Sequence, residues 1–247
     1  MENQNLTFSL KINKYENLNL IFWHLWVSTM KYKNKSIENF SLDAYRRIIE
    51  NALLNDYEFM TVKNFLVNGC PKERIFIMRH DFDKKPENCE IFFIAEKEFG
   101  VRSTTYVRVA NNDYNPFSYK NFAILKNAEQ NGFEIGLHTN FVEFAKINHR
   151  EAIEILGSEW KALSAFYKIS GMSCHRDFNY AYNSLPWVYE NWDKIANIGI
   201  EYHAYDKKFL DAVLYLNEGL NPHLCWRHMN PMDAISTGRS ICLLTHN

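Results

Sequence analysis

The chain has 247 residues, with 28 Lys and Arg against 29 Asp and Glu. That length suits one large α/β domain with an ample core, and the near-zero charge lacks the basic stripe expected of a nucleic-acid binder. Five cysteines (Cys70, Cys89, Cys174, Cys225 and Cys242) are odd in number, widely spaced and without a Cys-x-x-Cys pair, which argues against a disulfide framework and for a cytoplasmic protein.

Residues 1–40 are polar apart from Leu20-Ile-Phe-Trp-His-Leu-Trp-Val27. That run is too short to span a membrane and has no basic leader or small-residue cleavage site, so a soluble chain with a small-molecule partner is expected. The extension 1–40 is expected to pack on a domain formed by 41–247. Ser41 reads as an N-cap, and behind it Tyr45, Ile48, Ile49, Ala52 and Leu53 recur at helical spacing, with Asp43 in the first turn. Residues 57–62 read as a strand and 63–68 as a short helix stopped by Gly69. The apolar run 75–78 reads as a strand buried on both faces, followed by a burst of ionisable groups, Arg79, His80, Asp81 and Asp83. Pro86 then opens a helix that stops at Gly100, and residues 103–109 form the next strand.

The alternation continues. Residues 117–131 form a helix ended by Gly132, 133–137 a strand ending in His138, and a helix from 148 leads through Gly171 to a strand over 172–174, ending in His175-Arg176. Pro186 and Gly199 bracket another helix, 200–205 and 213–216 are possible strands, and 240–245 is a buried strand ending in His246. Alternating strands and helices imply a parallel sheet, and about seven strands in one domain suggest a closed or nearly closed barrel. Asp81, Asp83, His138, His175 with Arg176, and His246 each follow a strand end, so they converge on one face. His149, His203, His223 and His228 fit this rule less well. His80, next to Asp81 on an extended segment, points to the opposite side and reads as a structural hydrogen-bonding group.

A carboxylate with neutral imidazoles is a ligand set for zinc or another first-row divalent ion. Such an ion lowers the pKa of bound water from 15.7 to about 7, while a second carboxylate can serve as general base and a separate histidine can protonate a leaving amine. No Gly-x-Ser-x-Gly elbow, phosphate loop or dinucleotide fingerprint is present, so serine-hydrolase, kinase and dehydrogenase readings weaken.

The run Arg79-His80-Asp81-Phe82-Asp83, with Pro86-Glu87-Asn88 and Gly100-Val101-Arg102-Ser103-Thr104-Thr105-Tyr106 downstream, resembles the first motif region of the polysaccharide deacetylase family, the NodB-homology group. Gly132-Phe133-Glu134-Ile135-Gly136-Leu137-His138 resembles its metal-histidine motif. The resemblance covers roughly residues 41–247. It implies a distorted (β/α)7 barrel of the NodB-homology type, and a catalytic domain that removes N- or O-acyl groups, mostly acetyl, from amino sugars. It also implies one divalent ion, zinc foremost, with Co2+, Ni2+, Fe2+ and Mn2+ as alternatives. By that resemblance Asp81 is the general base, Asp83 and His138 are metal ligands, Arg176 orients the base, and His246 in Leu243-Leu244-Thr245-His246 is the general acid.

The pattern departs from the family where a second histidine four residues after the first is usual, since Val142 stands there. His175, at the next strand end, is assigned the third-ligand role. The expected partner is a carbohydrate or sugar conjugate from a surface glycan or its precursor, with no nucleic acid and no transmembrane segment. Three other readings remain open: deformylation of a formamido sugar, a non-catalytic sugar-binding relative, and an interaction protein using the aromatic surface around Phe22, Trp23 and Trp26.

Overall fold

The computed structural model describes residues 40–84, 86–176, 184–218 and 225–246. All belong to the unit Lys35–Asn247. The expected extension 1–40, Phe40 apart, lies outside the described residues, and so does its apolar run at 20–27.

Helix α1, Leu42–Leu54, starts where Ser41 Oγ accepts the Ala44 N–H at 3.1 Å, and it buries Tyr45, Ile48, Ile49 and Ala52 as the spacing predicts. The expected strand 57–62 is reduced to β1, Glu58–Phe59, because Thr61 caps helix α2, Val62–Val67, through the Asn64 N–H. Strand β2 runs Ile75–Phe82, with all eight residues buried. It therefore extends past the expected end at Met78 and takes in Arg79, His80 and Asp81. The strand can continue through these charges because each is paired as it is buried, Arg79 with Asp81 and His80 with Glu96.

A 3-10 turn, Pro86–Asn88, precedes α3, Glu90–Glu98, and then come β3, Thr104–Arg108, α4, Tyr119–Gln130, and β4, Glu134–Thr139. The expected helix from 148 begins later. The chain forms α5, Phe141–Ile147, turns at His149 with φ 51°, and resumes as α6, Ala152–Ser164. Strand β5, Ile169–Cys174, includes Gly171, which had been expected to precede it. A Cβ at Gly171 would lie 2.1 Å from the Tyr202 ring, so this glycine makes room for an aromatic side chain within the sheet. After it come α7, Ser184–Glu190, α8, Trp192–Ala196, β6, Tyr202–His203, α9, Lys207–Ala212, β7, Leu214–Glu218, β8, Trp226–Arg227, α10, Pro231–Ile235, and β9, Ile241–His246.

The strand order is β6-β5-β4-β3-β2-β9-β7-β8, with β1 paired to the start of β2, and every pairing is parallel except β7 with β8. The sheet curls strongly, since Arg79 Nη2 on β2 reaches Ser173 Oγ on β5, three strands away, at 2.5 Å. Among the described residues its path has two ends, at β6 and β8, so the architecture is a mixed α/β half-barrel with a curled, mostly parallel sheet, compatible with the closed or nearly closed barrel expected.

Alternation along β2 separates two environments. Ile75 and Ile77 point into the concave core with Phe65, Tyr106, Tyr202 and Cys242, while Phe76 and Met78 point out beneath the helices. The next two inward positions are Arg79 and Asp81, so the concavity turns from apolar to charged toward the strand C-termini. No helix among the described residues is long and apolar enough to cross a membrane.

Candidate metal centre

The C-terminal ends of β2, β4 and β5 assemble the site. Asp81 sits at an inward position of β2, directly opposite Tyr106 on β3 and His246 on β9. One residue past the strand, Asp83 is set by a tight turn in which its N–H donates to the Asp81 carbonyl at 3.2 Å. The following loop clamps this end: Tyr114 donates to the Phe82 carbonyl at 2.9 Å and accepts the Arg108 N–H at 2.8 Å, while Asn111 Nδ2 donates to the Asp83 carbonyl at 3.0 Å. His138 is inward on β4, and His175 follows β5 with its N–H donating to the Thr139 carbonyl at 2.7 Å.

Asp83 Oδ1 lies 3.2 Å from His138 Nε2 and 3.3 Å from His175 Nε2, and one ligand atom from each of the three residues lies within 4.8 Å of the others. An ion about 2.1 Å from each ligand in a tetrahedral site separates the ligand atoms by about 3.4 Å, so the two Asp83 distances fit a shared ion. The donor chemistry fits as well. His138 Nδ1–H donates to the Ser173 carbonyl at 3.1 Å, which leaves the Nε2 lone pair facing Asp83, as a metal-ligating imidazole requires. Burial, reinforced by the charge of His138, pushes the His175 imidazole down to about 4, so its ring is neutral at pH 7. Burial alone would raise Asp83, but when the imidazoles take up protons, so that His138 Nε2 carries a hydrogen toward Asp83, that hydrogen bond and the histidine charges outweigh burial and hold the carboxyl below its ordinary value. One carboxylate and two imidazoles are a set for a first-row divalent ion.

Val142, where the family pattern has a histidine, is buried on α5 in the core outside the sheet. The second nitrogen, and third ligand atom, at the site comes from His175.

Asp81 is buried against a guanidinium. Arg79 Nε donates to Oδ1 at 3.0 Å and Nη2 to Oδ2 at 2.7 Å, with side-chain exposures of 0% for Arg79 and 3% for Asp81. Burial raises the Asp81 carboxyl, but the Arg79 charge, with His138 behind it, overrides this and holds it well below the usual carboxylate range. Arg79 also touches Ser173 Oγ and Tyr205 OH, and its guanidinium stands 4.6 Å from the Tyr205 ring centroid. The arginine orienting Asp81 in the structure is thus Arg79, on the same strand face two residues earlier. Arg176, expected in that role, is exposed just past His175.

His246 stands across from Asp81 at the end of β9. Its Nδ1 is 3.0 Å from Glu218 Oε1, and its backbone N–H donates to the same oxygen. Burial lowers this imidazole, but the Glu218 hydrogen bond and the charges of Asp81, Glu218 and Asp83 outweigh it, so the group is raised and keeps its proton more firmly. His80 turns outward as expected: Nε2 pairs with Glu96 Oε1 and Nδ1 with Thr245 Oγ1, each at 2.7 Å, beneath Tyr45.

Sequence reasoning missed Arg79 and Glu218. Both had a signal. Arg79 shares a strand face with Asp81, and Glu218 obeys the strand-end rule once β7 is extended two residues past 216. Comparisons with protein-family models, curated proteins and solved structures find no match for this chain.

Proposed function

We propose that the protein is a metal-dependent hydrolase that removes an N-acyl group, acetyl foremost, from an amino sugar of a surface glycan or its precursor. The observation that carries this reading is the juxtaposition of the Asp83, His138 and His175 donor atoms with an ionised carboxylate at Asp81 and a proton-holding imidazole at His246. The motif resemblance around Asp81 and His138 supplies the substrate class. Deformylation of a formamido sugar uses the same groups and differs only in the acyl pocket.

Asp83, His138 and His175 would hold a divalent ion, which would supply Lewis acidity toward an acyl oxygen and acidify water in the site. Asp81 takes the proton of the attacking water. Arg79 keeps Asp81 ionised and fixes both its oxygens, so the carboxylate spends no free energy on reorientation. His246, its proton held more firmly by Glu218, delivers that proton to the departing nitrogen as the C–N bond breaks, so that water and amide become carboxylic acid and amine, with the water's proton left on Asp81 and His246 neutral. Tyr205 and Tyr215, both within hydrogen-bond reach of Arg79, pack the wall behind the ion pair and keep water from competing for the guanidinium.

The test is release of acetate or formate from a panel of N-acetyl and N-formyl amino sugars by zinc-loaded protein. Asp81→Asn is expected to lower turnover by about 10²–10⁴-fold with metal content unchanged. Wild-type turnover in that variant would remove Asp81 as base, and loss of metal would make it a ligand.

A further inference from the structure

Arg108 is the last residue of β3 and the register partner of His138, so it belongs to the same concave face as the metal triad, one strand from it. It is 9% exposed. A guanidinium this buried ordinarily sits on a carboxylate, because an unpaired buried charge costs several kcal/mol, on the order of the desolvation of one ion. Arg79 obeys that rule. Arg108 does not: among the described residues no carboxylate lies within ion-pair distance of it. Its side-chain bond is from Nη2 to Asn140 Oδ1, a neutral amide, at 3.1 Å, and its Nε has no hydrogen-bond partner.

The arrangement around it is rigid. Asn140 Nδ2 donates to Glu143 Oε2 at 3.1 Å, which fixes the amide with its oxygen toward Arg108. Tyr114 accepts the Arg108 N–H and pins the strand end. The nearby Glu159 is not a substitute counter-ion: its Oε2 accepts from Thr139 Oγ1, and it makes no ion pair with Arg108. A positive fork is thus held in place beside the triad with hydrogen-bonding capacity left over, which is the design of a receptor for a planar or tetrahedral oxyanion.

We propose that Arg108 binds an anionic group of the substrate, a carboxylate or a phosphate, so that the site acts on amino sugars carrying negative charge near the acyl group. The substrate class rests on the hydrolase reading above; the anion site itself does not. A sugar carboxylate and a sugar phosphate share the oxyanion that Arg108 recognises.

The experiment titrates the full-length protein with inorganic phosphate and with acetate by calorimetry, chelator-treated and zinc-loaded, for wild type, Arg108→Gln, Arg108→Lys and Arg176→Gln. Wild type and Arg176→Gln should bind at least one of the two anions whether or not zinc is present. Arg108→Gln should weaken that binding by about 10- to 100-fold, as loss of a charge-assisted hydrogen bond does, and Arg108→Lys should recover part of it. Preference for phosphate indicates a phosphorylated sugar, and preference for acetate a sugar acid. Equal anion affinity in wild type and folded Arg108→Gln, or in wild type and Arg108→Lys if the Gln variant does not fold, would overturn the proposal, as would binding that needs zinc and ignores Arg108. If zinc fails to bind while the Arg108-dependent anion affinity persists, the hydrolase reading falls and the anion site stands.

Discussion

Replacing Arg79 by Met strands the Asp81 carboxylate in a site where both partners are almost wholly buried. Removing one member of a buried pair costs about 3–5 kcal/mol, because the survivor keeps its desolvation penalty without its partner. Asp81 would retain Ser173 Oγ at 3.3 Å and His138 Nε2 at 3.7 Å. These contacts offset part of the cost without replacing a bidentate guanidinium, so a loss near the lower end, about 3 kcal/mol, is expected in urea unfolding at pH 7. Replacing both residues, Arg79→Met with Asp81→Leu, removes both charges and should bring stability back to within about 1 kcal/mol of wild type. The pH dependence has a definite sign. The Asp81 carboxyl is depressed in the folded state, so its stabilising contribution is complete above the unfolded value of about 3.9 and is lost as pH falls through the folded value. The gap between wild type and Arg79→Met should therefore hold steady from about pH 5 to pH 8 and narrow below about pH 4. A single variant that loses less than about 1 kcal/mol, or a double variant as unstable as the sum of the singles, would refute the claim that this pair is desolvated and mutually dependent.

Other outcomes follow from neighbouring geometry. His246 must be protonated to act as acid, so the rate should fall as pH rises through its raised pKa; His246→Ala should abolish that alkaline limb, and Glu218→Gln should move it to lower pH, both read from a pH–rate profile. Glu96→Ala removes the common acceptor of His80, Ser103 and Tyr45 and should cost about 3 kcal/mol or more in denaturant unfolding, with metal content unchanged. Gly136→Ala places a Cβ 2.5 Å from Tyr106 Cδ1 and 2.9 Å from the Gly171 carbonyl, so overpacking of about 1–3 kcal/mol should appear as a lowered melting temperature.

Local chemistry made some of the chain legible. Ser41, Gly69, Gly100 and Gly132 punctuate helices where their types predict, the last three with φ of 80°, 72° and 85°. The alternation rule correctly sent His80 outward from Asp81. What failed was reading charge as the end of a strand. Arg79 to Phe82 stay in β2 because pairing across the fold cancels the cost of burial, and a pairing partner such as Glu96 leaves no mark on the local pattern. Gly171 failed for the same kind of reason, since the Tyr202 ring that requires it comes from another strand. The assignment of Arg176 to Asp81 rested on family position, whereas two-residue periodicity on β2 already pointed to Arg79. His175 came from the strand-end rule, and the structure brings its Nε2 to 3.3 Å from Asp83.

The most direct measurement is an anomalous-difference map, recorded at the zinc edge, of crystals grown with zinc. One peak is expected, about 2.0–2.2 Å from Asp83 Oδ1, His138 Nε2 and His175 Nε2, with Asp81 still on Arg79 and off the ion. A peak elsewhere, a map without one, or a site in which His175 turns away would contradict the metal centre and the hydrolase built on it.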